Sequence, residues 1–223
     1  MQQNAQKQVW IDTDIAIGHK SGLFSYCDVD DGFAITALLR SANIEVMGLS
    51  TTLGNSDNIS VTTSTAQDFI RNYGPNSVSV YQGAPAPLPS DLSSLQIPDA
   101  VEQLATALRE QPLTILSLGS ATNIATLLIK YPELVDHISE LVVVAGRRDL
   151  EQHFISGHWQ PKPFRDLNFE FDVKAYQVIL DSSVQLTLIP YEVCNKMWIR
   201  PTDLVKLAES NKVGRFLSEH SLG

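Results

Sequence analysis

The chain has 223 residues, 43% of them hydrophobic and 18% charged, with a formal net charge of -9 at pH 7. That length holds one α/β domain with its own core, and the composition excludes fibrous, collagen-like and disordered classes. The acidic balance speaks against a nucleic-acid partner and favours a small neutral or cationic ligand or a bound metal, while the longest apolar runs are too short to span a bilayer.

Residues 1–8 contain no apolar stretch of the kind a secretory leader needs, so a cytoplasmic location is expected. Apolar runs then alternate with helical periodicity along most of the length. Strands are predicted at 8–12, 44–51, 77–81, 113–118, 141–145 and 184–190, and helices at 32–41, 58–73, 99–110, 121–130, 173–181 and 201–218. This alternation predicts an open, mostly parallel, Rossmann-like sheet with helices on both faces, built as a single domain over 1–223. Ser120 and Asp172 stand where a side-chain oxygen can cap the helix that follows. Cys27 and Cys194 are far apart and lack metal-site spacing, so both are read as free thiols.

The first predicted strand closes on Asp12-Thr13-Asp14, and a second acidic pair, Asp30-Asp31, opens the first predicted helix. Carboxylates converging on one centre either share protons or hold a hard cation such as calcium or magnesium. The alternative is that Asp30 and Asp31 only cap the helix and complement its dipole while Asp12 is solvated. In a parallel sheet the loops leaving the carboxyl ends of strands meet in one crevice. The loops at 12–14, 51–55, 119–123 and from 146 onward are therefore expected to converge. Asn55 and Asn123 supply amides there, or merely form turns. Asp166 and Asn168 are placed on one side of an extended segment, a pairing that suits a sugar.

Ordered along the chain, Asp12-Thr13-Asp14 with Asp30-Asp31-Gly32, Thr51-Thr52-Leu53-Gly54-Asn55, Gly119-Ser120-Ala121-Thr122-Asn123 and Asp166-Leu167-Asn168 resemble the inosine/uridine-preferring nucleoside hydrolase family. The resemblance implies hydrolysis of ribonucleosides to ribose and free base, as in purine and pyrimidine salvage, by a homo-oligomeric, calcium-dependent enzyme. It implies that Asp14 and Asp31, the latter through both oxygens, and the main-chain carbonyl of Thr122 hold Ca2+. Asp14 would double as general base. Asp30, Asn55, Gln160, Asp166 and Asn168 would grip the ribose, with Asp12 behind them. Neither nucleic acid nor a membrane enters as a partner.

Three departures from the family pattern stand out. Residues 15–29 occupy the place of a very short link, as an inert excursion or as a lid carrying His19, Lys20, Phe24 and Tyr26. Gln160 and Asp166 stand where asparagine and glutamate are usual, beside Arg147, Arg148, His153, His158 and Trp159, which contact a base or phosphate or are simply solvated. The closing His-Asp motif of the family is absent before Gly223. That absence implies an incomplete C-terminal region: a fragment, a shortened relative that binds ribose or nucleoside or serves as a scaffold, or a dimer that borrows cover. A resemblance of Ile11-Asp12-Thr13-Asp14 to the nucleophile motif of haloacid dehalogenase-type phosphatases leaves Asp30 and Asp31 unexplained.

Overall fold

The computed structural model describes residues 6–18, 29–149, 151–155 and 164–221. Its centre is β1 (Lys7–Thr13), a strand whose last five residues are all buried. The other strands are β2 (Ile44–Thr51), β3 (Val80–Gln82), β4 (Leu113–Ser117), β5 (Ile138–Val143) and β6 (Leu186–Leu188). They form one sheet in the order β3-β2-β1-β4-β5-β6, with every pairing parallel. The order reverses direction between β1 and β4, which opens a crevice at their carboxyl ends.

Side chains alternate across β1 because the strand period is two. Val9 and Ile11 enter a core shared with α1 (Asp30–Arg40), α2 (Ile59–Tyr73) and α9 (Lys212–His220). Trp10 enters the opposite core, with α3 (Asp99–Glu110), α4 (Thr122–Lys130) and α6 (Val173–Asp181). Helices thus cover both faces, as the alternation predicts. No helix among the described residues is long and apolar enough to cross a membrane.

The structure departs from the predicted elements where a local cap or turn outweighs apolar periodicity. The helix expected over 201–218 is two, α8 (Pro201–Ser210) and α9, parted at Asn211. Asn211 accepts a hydrogen bond from the Gly214 amide at 2.9 Å and so starts a new helix. A Cβ at Gly214 would strike the Leu207 carbonyl, so the turn also needs glycine's lack of bulk. The extended segment expected at 166–168 is the start of a short helix, α5 (Leu167–Phe171), capped by Asp166. A one-turn helix, α7 (Tyr191–Cys194), follows β6. Asp172 caps α6 as expected, accepting from the Ala175 amide at 3.0 Å. Ser120 does not cap α4; its hydroxyl shares a 2.6 Å hydrogen bond with that of Thr52.

Within the segment 15–29, Ile15, Ala16 and Ile17 are buried, so the chain enters the core before turning away at Gly18. Residues 19–28, with Cys27, lie outside the described residues, as do Gln160, His158 and Trp159. Cys194 is a free, exposed thiol.

Candidate active site

Parallel pairing carries the ladder past the strand ends and draws the loops together. The Leu118 amide donates to the Asp12 carbonyl at 2.7 Å, and the Thr52 amide to the Thr13 carbonyl at 2.9 Å. The loops after β1, β2, β4 and β5 therefore meet at the crevice, as expected. Asp14 stands between two of them, 3% exposed, with Oδ2 accepting from the Asn55 amide at 2.8 Å. Gly54 and Gly119 press against it from either side. A Cβ on Gly119 would lie 2.8 Å from Asp14 Oδ1, and one on Gly54 would collide with Oδ2.

Asp31 meets the end of β1 from the first turn of α1. Thr13 Oγ1 donates to its Oδ2 in a short hydrogen bond. Thr13 Oγ1 in turn accepts from the Ile15 amide at 3.2 Å. Thr13, read from sequence only as the spacer between two aspartates, is thus the clasp between β1 and α1. Asp30 and Asp31 are not the N-cap of α1, which is Val29 without a side-chain cap; they occupy its first turn, where carboxylates favour the dipole. Asp30 is exposed, and its Oδ1 accepts from the Asp31 amide at 2.9 Å.

Asp12 is wholly buried beneath this pair. Its Oδ1 accepts from Ser50 Oγ at 2.5 Å and from Asn123 Nδ2 at 2.8 Å. Ser50 in turn accepts from the Trp10 indole at 2.9 Å. Asn123 also donates to the Thr51 carbonyl at 2.9 Å and accepts from the Ala84 amide at 2.9 Å, so one side chain ties three segments to Asp12. From sequence Asn123 looks like a turn former; a polar residue in the apolar start of a helix was the available signal.

Electrostatics follow from this burial. Desolvation pushes Asp14 from 3.8 to about 7, opposed by the Asn55 amide and reinforced by the charges of Asp30 and Asp12. Burial also pushes Asp12 to about 7, against the hydrogen bonds from Ser50 and Asn123. Buried carboxylates raised in this way gain from a hard cation, which favours their ionised forms. The donors are all oxygen, which suits calcium. Among the described residues, however, no group of three or more His, Cys, Asp or Glu side chains is arranged to hold a metal. Asp14, Asp31 and main-chain carbonyls are therefore the protein donors at hand.

Three of the expected site residues are engaged in hydrogen bonds within the fold. The Thr122 carbonyl belongs to the first residue of α4, points along the helix and accepts from Thr126 Oγ1 at 2.8 Å. It is turned away from Asp14, while the Thr122 hydroxyl donates to Asp172 Oδ2 at 2.8 Å. Asp166 is 4% exposed and has both oxygens on backbone amides, Gly146 at 2.7 Å and Phe169 at 3.2 Å. Asn168 gives its amide nitrogen to the carbonyls of Leu118 at 2.6 Å and Val144 at 2.9 Å, which leaves Oδ1 for a ligand. Both residues brace the ends of β4 and β5. In the neighbouring loop Arg147 pairs with Glu170 at 3.1 Å, and the Arg148 amide donates to Glu192 at 2.7 Å.

A six-stranded parallel sheet with buried aspartates at its switch point defines an α/β protein with an acidic strand-end site. The family model for inosine-uridine preferring nucleoside hydrolase matches residues 9–222, and the chain belongs to that family. It is 28% identical to the pyrimidine-specific ribonucleoside hydrolase RihA of Citrobacter koseri, over 85% of this chain and 66% of that protein. It is 26% identical to the non-specific ribonucleoside hydrolase RihC of Salmonella paratyphi B, over 87% and 67%. The chain thus spans about two thirds of the length of these relatives. The fold is similar to that of a purine-preferring ribonucleoside hydrolase from Gardnerella vaginalis, with a TM-score of 0.76 at 22% identity, covering 96% of this chain and 70% of that one.

Proposed function

We propose that this chain hydrolyses the N-glycosidic bond of ribonucleosides. The bond between the sugar C1′ and the base nitrogen breaks, water supplies the hydroxyl that C1′ gains, and the proton goes to the departing base. The observation that carries this reading is Asp14, buried at the switch point, fixed by the Asn55 amide and raised in pKa by that burial and by the nearby charges of Asp30 and Asp12. Calcium, held by Asp14, Asp31 and a main-chain carbonyl, would orient the attacking water and make it more acidic. The Leu118 carbonyl, held by Asn168 at the end of β4, would serve as that main-chain donor.

The remaining roles belong to side chains. Asp14 takes the proton of the attacking water on Oδ1, since the Asn55 amide engages Oδ2. Asp30 and the Asn55 side chain accept hydrogen bonds from ribose hydroxyls, bonds that strengthen as the sugar flattens toward an oxocarbenium-like state. Asp166 and Asn168 act mainly by holding the surrounding loops, with Asn168 Oδ1 turned to the sugar. The test is release of base from inosine and uridine with and without a calcium chelator. Turnover indifferent to chelation would overturn the metal reading, and no turnover with calcium present would overturn the enzyme reading.

A second reading, binding of ribose or nucleoside without turnover, is favoured because, among the described residues, no three or more His, Cys, Asp or Glu side chains are arranged to hold a metal. Calorimetry with ribose and calcium separates the two. Heat of binding without base release supports it, and base release excludes it. Self-association, which the family resemblance implies, is read by light scattering.

A further inference from the structure

Six buried side-chain polar atoms among the described residues have no hydrogen-bond partner, and three of them lie on one face of the sheet: Asp12 Oδ2, Ser117 Oγ and the Tyr176 hydroxyl. Asp12 and Ser117 are register partners on β1 and β4, so their side chains leave the same face one strand spacing apart, about 4.8 Å. Val143 on β5 is the register partner of Ser117 and continues the row. Tyr176 of α6 lies over that row, lining a cavity with Val143 and leaning on Phe169 at a ring separation of 5.1 Å. Its ring belongs to the core that holds Trp10 and Ile115, the residues two positions before Asp12 and Ser117. Burial pushes the Tyr176 pKa up, and the charges of Asp166, Asp12, Asp14 and Asp172 push it further.

Native proteins seldom leave such groups unpaired, and none of these three bonds to another. A shared third party resolves all of them. Water has the right balance of two donors and two acceptors: it donates to the Asp12 carboxylate and to Ser117, and accepts from the tyrosine. We propose that Asp12 Oδ2, Ser117 Oγ and the Tyr176 hydroxyl enclose one internal water that joins α6 to the end of β1 beneath Asp14. Asp12 is then held on both oxygens, by Ser50 and Asn123 on one and by the water on the other. Buried waters with about three such contacts are integral to the structures that contain them.

The test uses Tyr176→Phe, Ser117→Ala and the double variant, each unfolded in urea, with a high-resolution crystal structure of the unaltered protein. An oxygen-sized peak within hydrogen-bond distance of all three atoms is expected. Each single variant should lower the urea midpoint, and the double should fall little below the worse single, because the water is lost at the first substitution. Three results overturn the proposal. They are a Tyr176→Phe variant as stable as the parent or more so, strictly additive losses, and a crystal structure with a direct Tyr176–Asp12 bond or a cation at this place.

Discussion

The backbone amide of Asn55 donates to Asp14 Oδ2 at 2.8 Å, joining the loop after β2 to the loop after β1. One carboxylate is thereby held in a fixed orientation by a main-chain group that no substitution at Asn55 other than proline removes. The space around it is equally restricted, since Gly54 and Gly119 leave no room for a methyl group.

Gly119→Ala places a Cβ against Asp14 Oδ1 and forces the carboxylate to move. Base release should fall at least tenfold, as a misplacement of about 1 Å can cost of the order of 100-fold, while stability should drop by about 1–3 kcal/mol. Steady-state kinetics beside urea denaturation separates the two. A fully active Gly119→Ala enzyme would show that Asp14 is not where the chemistry occurs.

Thr13→Val removes the hydroxyl that clasps Asp31 to β1. The loss should be about 1.5–3 kcal/mol, the range for a hydrogen bond to a charged group, and Thr13→Ser should recover most of it. Guanidinium unfolding of both variants provides the comparison. A Thr13→Val variant as stable as the parent would show that the hydroxyl clasp contributes nothing to stability.

Asn123→Ala strips Asp12 of one donor and leaves the Thr51 carbonyl and the Ala84 amide short of a partner. Several buried groups are affected at once, so destabilisation of about 3 kcal/mol or more is expected. A melting temperature within 2 °C of the parent, roughly, would contradict this.

Calcium binding can be read without turnover. Added calcium should raise the melting temperature of the unaltered protein, by mass action, and Asp31→Asn should abolish most of the rise. Persistence of the full shift in Asp31→Asn would place the ion elsewhere.

The sheet, its parallel pairing and the meeting of loops at the strand ends follow from apolar runs and helical periodicity, and β2, α3 and α6 begin and end close to where the sequence puts them. Asp14 and Asp31 are likewise visible as an acidic strand end and helix start. What the sequence hides is how polar residues divide their hydrogen bonds. Asp166 and Asn168 look like ligands because carboxylates and amides bind sugars, yet the backbone ends of β4 and β5 claim most of their capacity. Thr122 looks like a carbonyl donor until the helix axis fixes where that carbonyl points. Ser50 and Asn123 carry no sign of their shared partner, because the contact joins positions far apart in the chain.

The strand order has a consequence for assembly of the protein. β1 is made first but pairs on one side with β2 and on the other with β4, a partner whose residues lie about a hundred positions later. While the chain is being synthesised, β1, β2 and β3 can associate early, with Trp10 already stacked on Tyr81 and Ser50 near Asp12. Asn123 arrives only with α4. Until α4 docks, the Asp12 carboxylate lacks its Asn123 donor. Docking of α4 is thus the step that completes the hydrogen bonds of the buried aspartate.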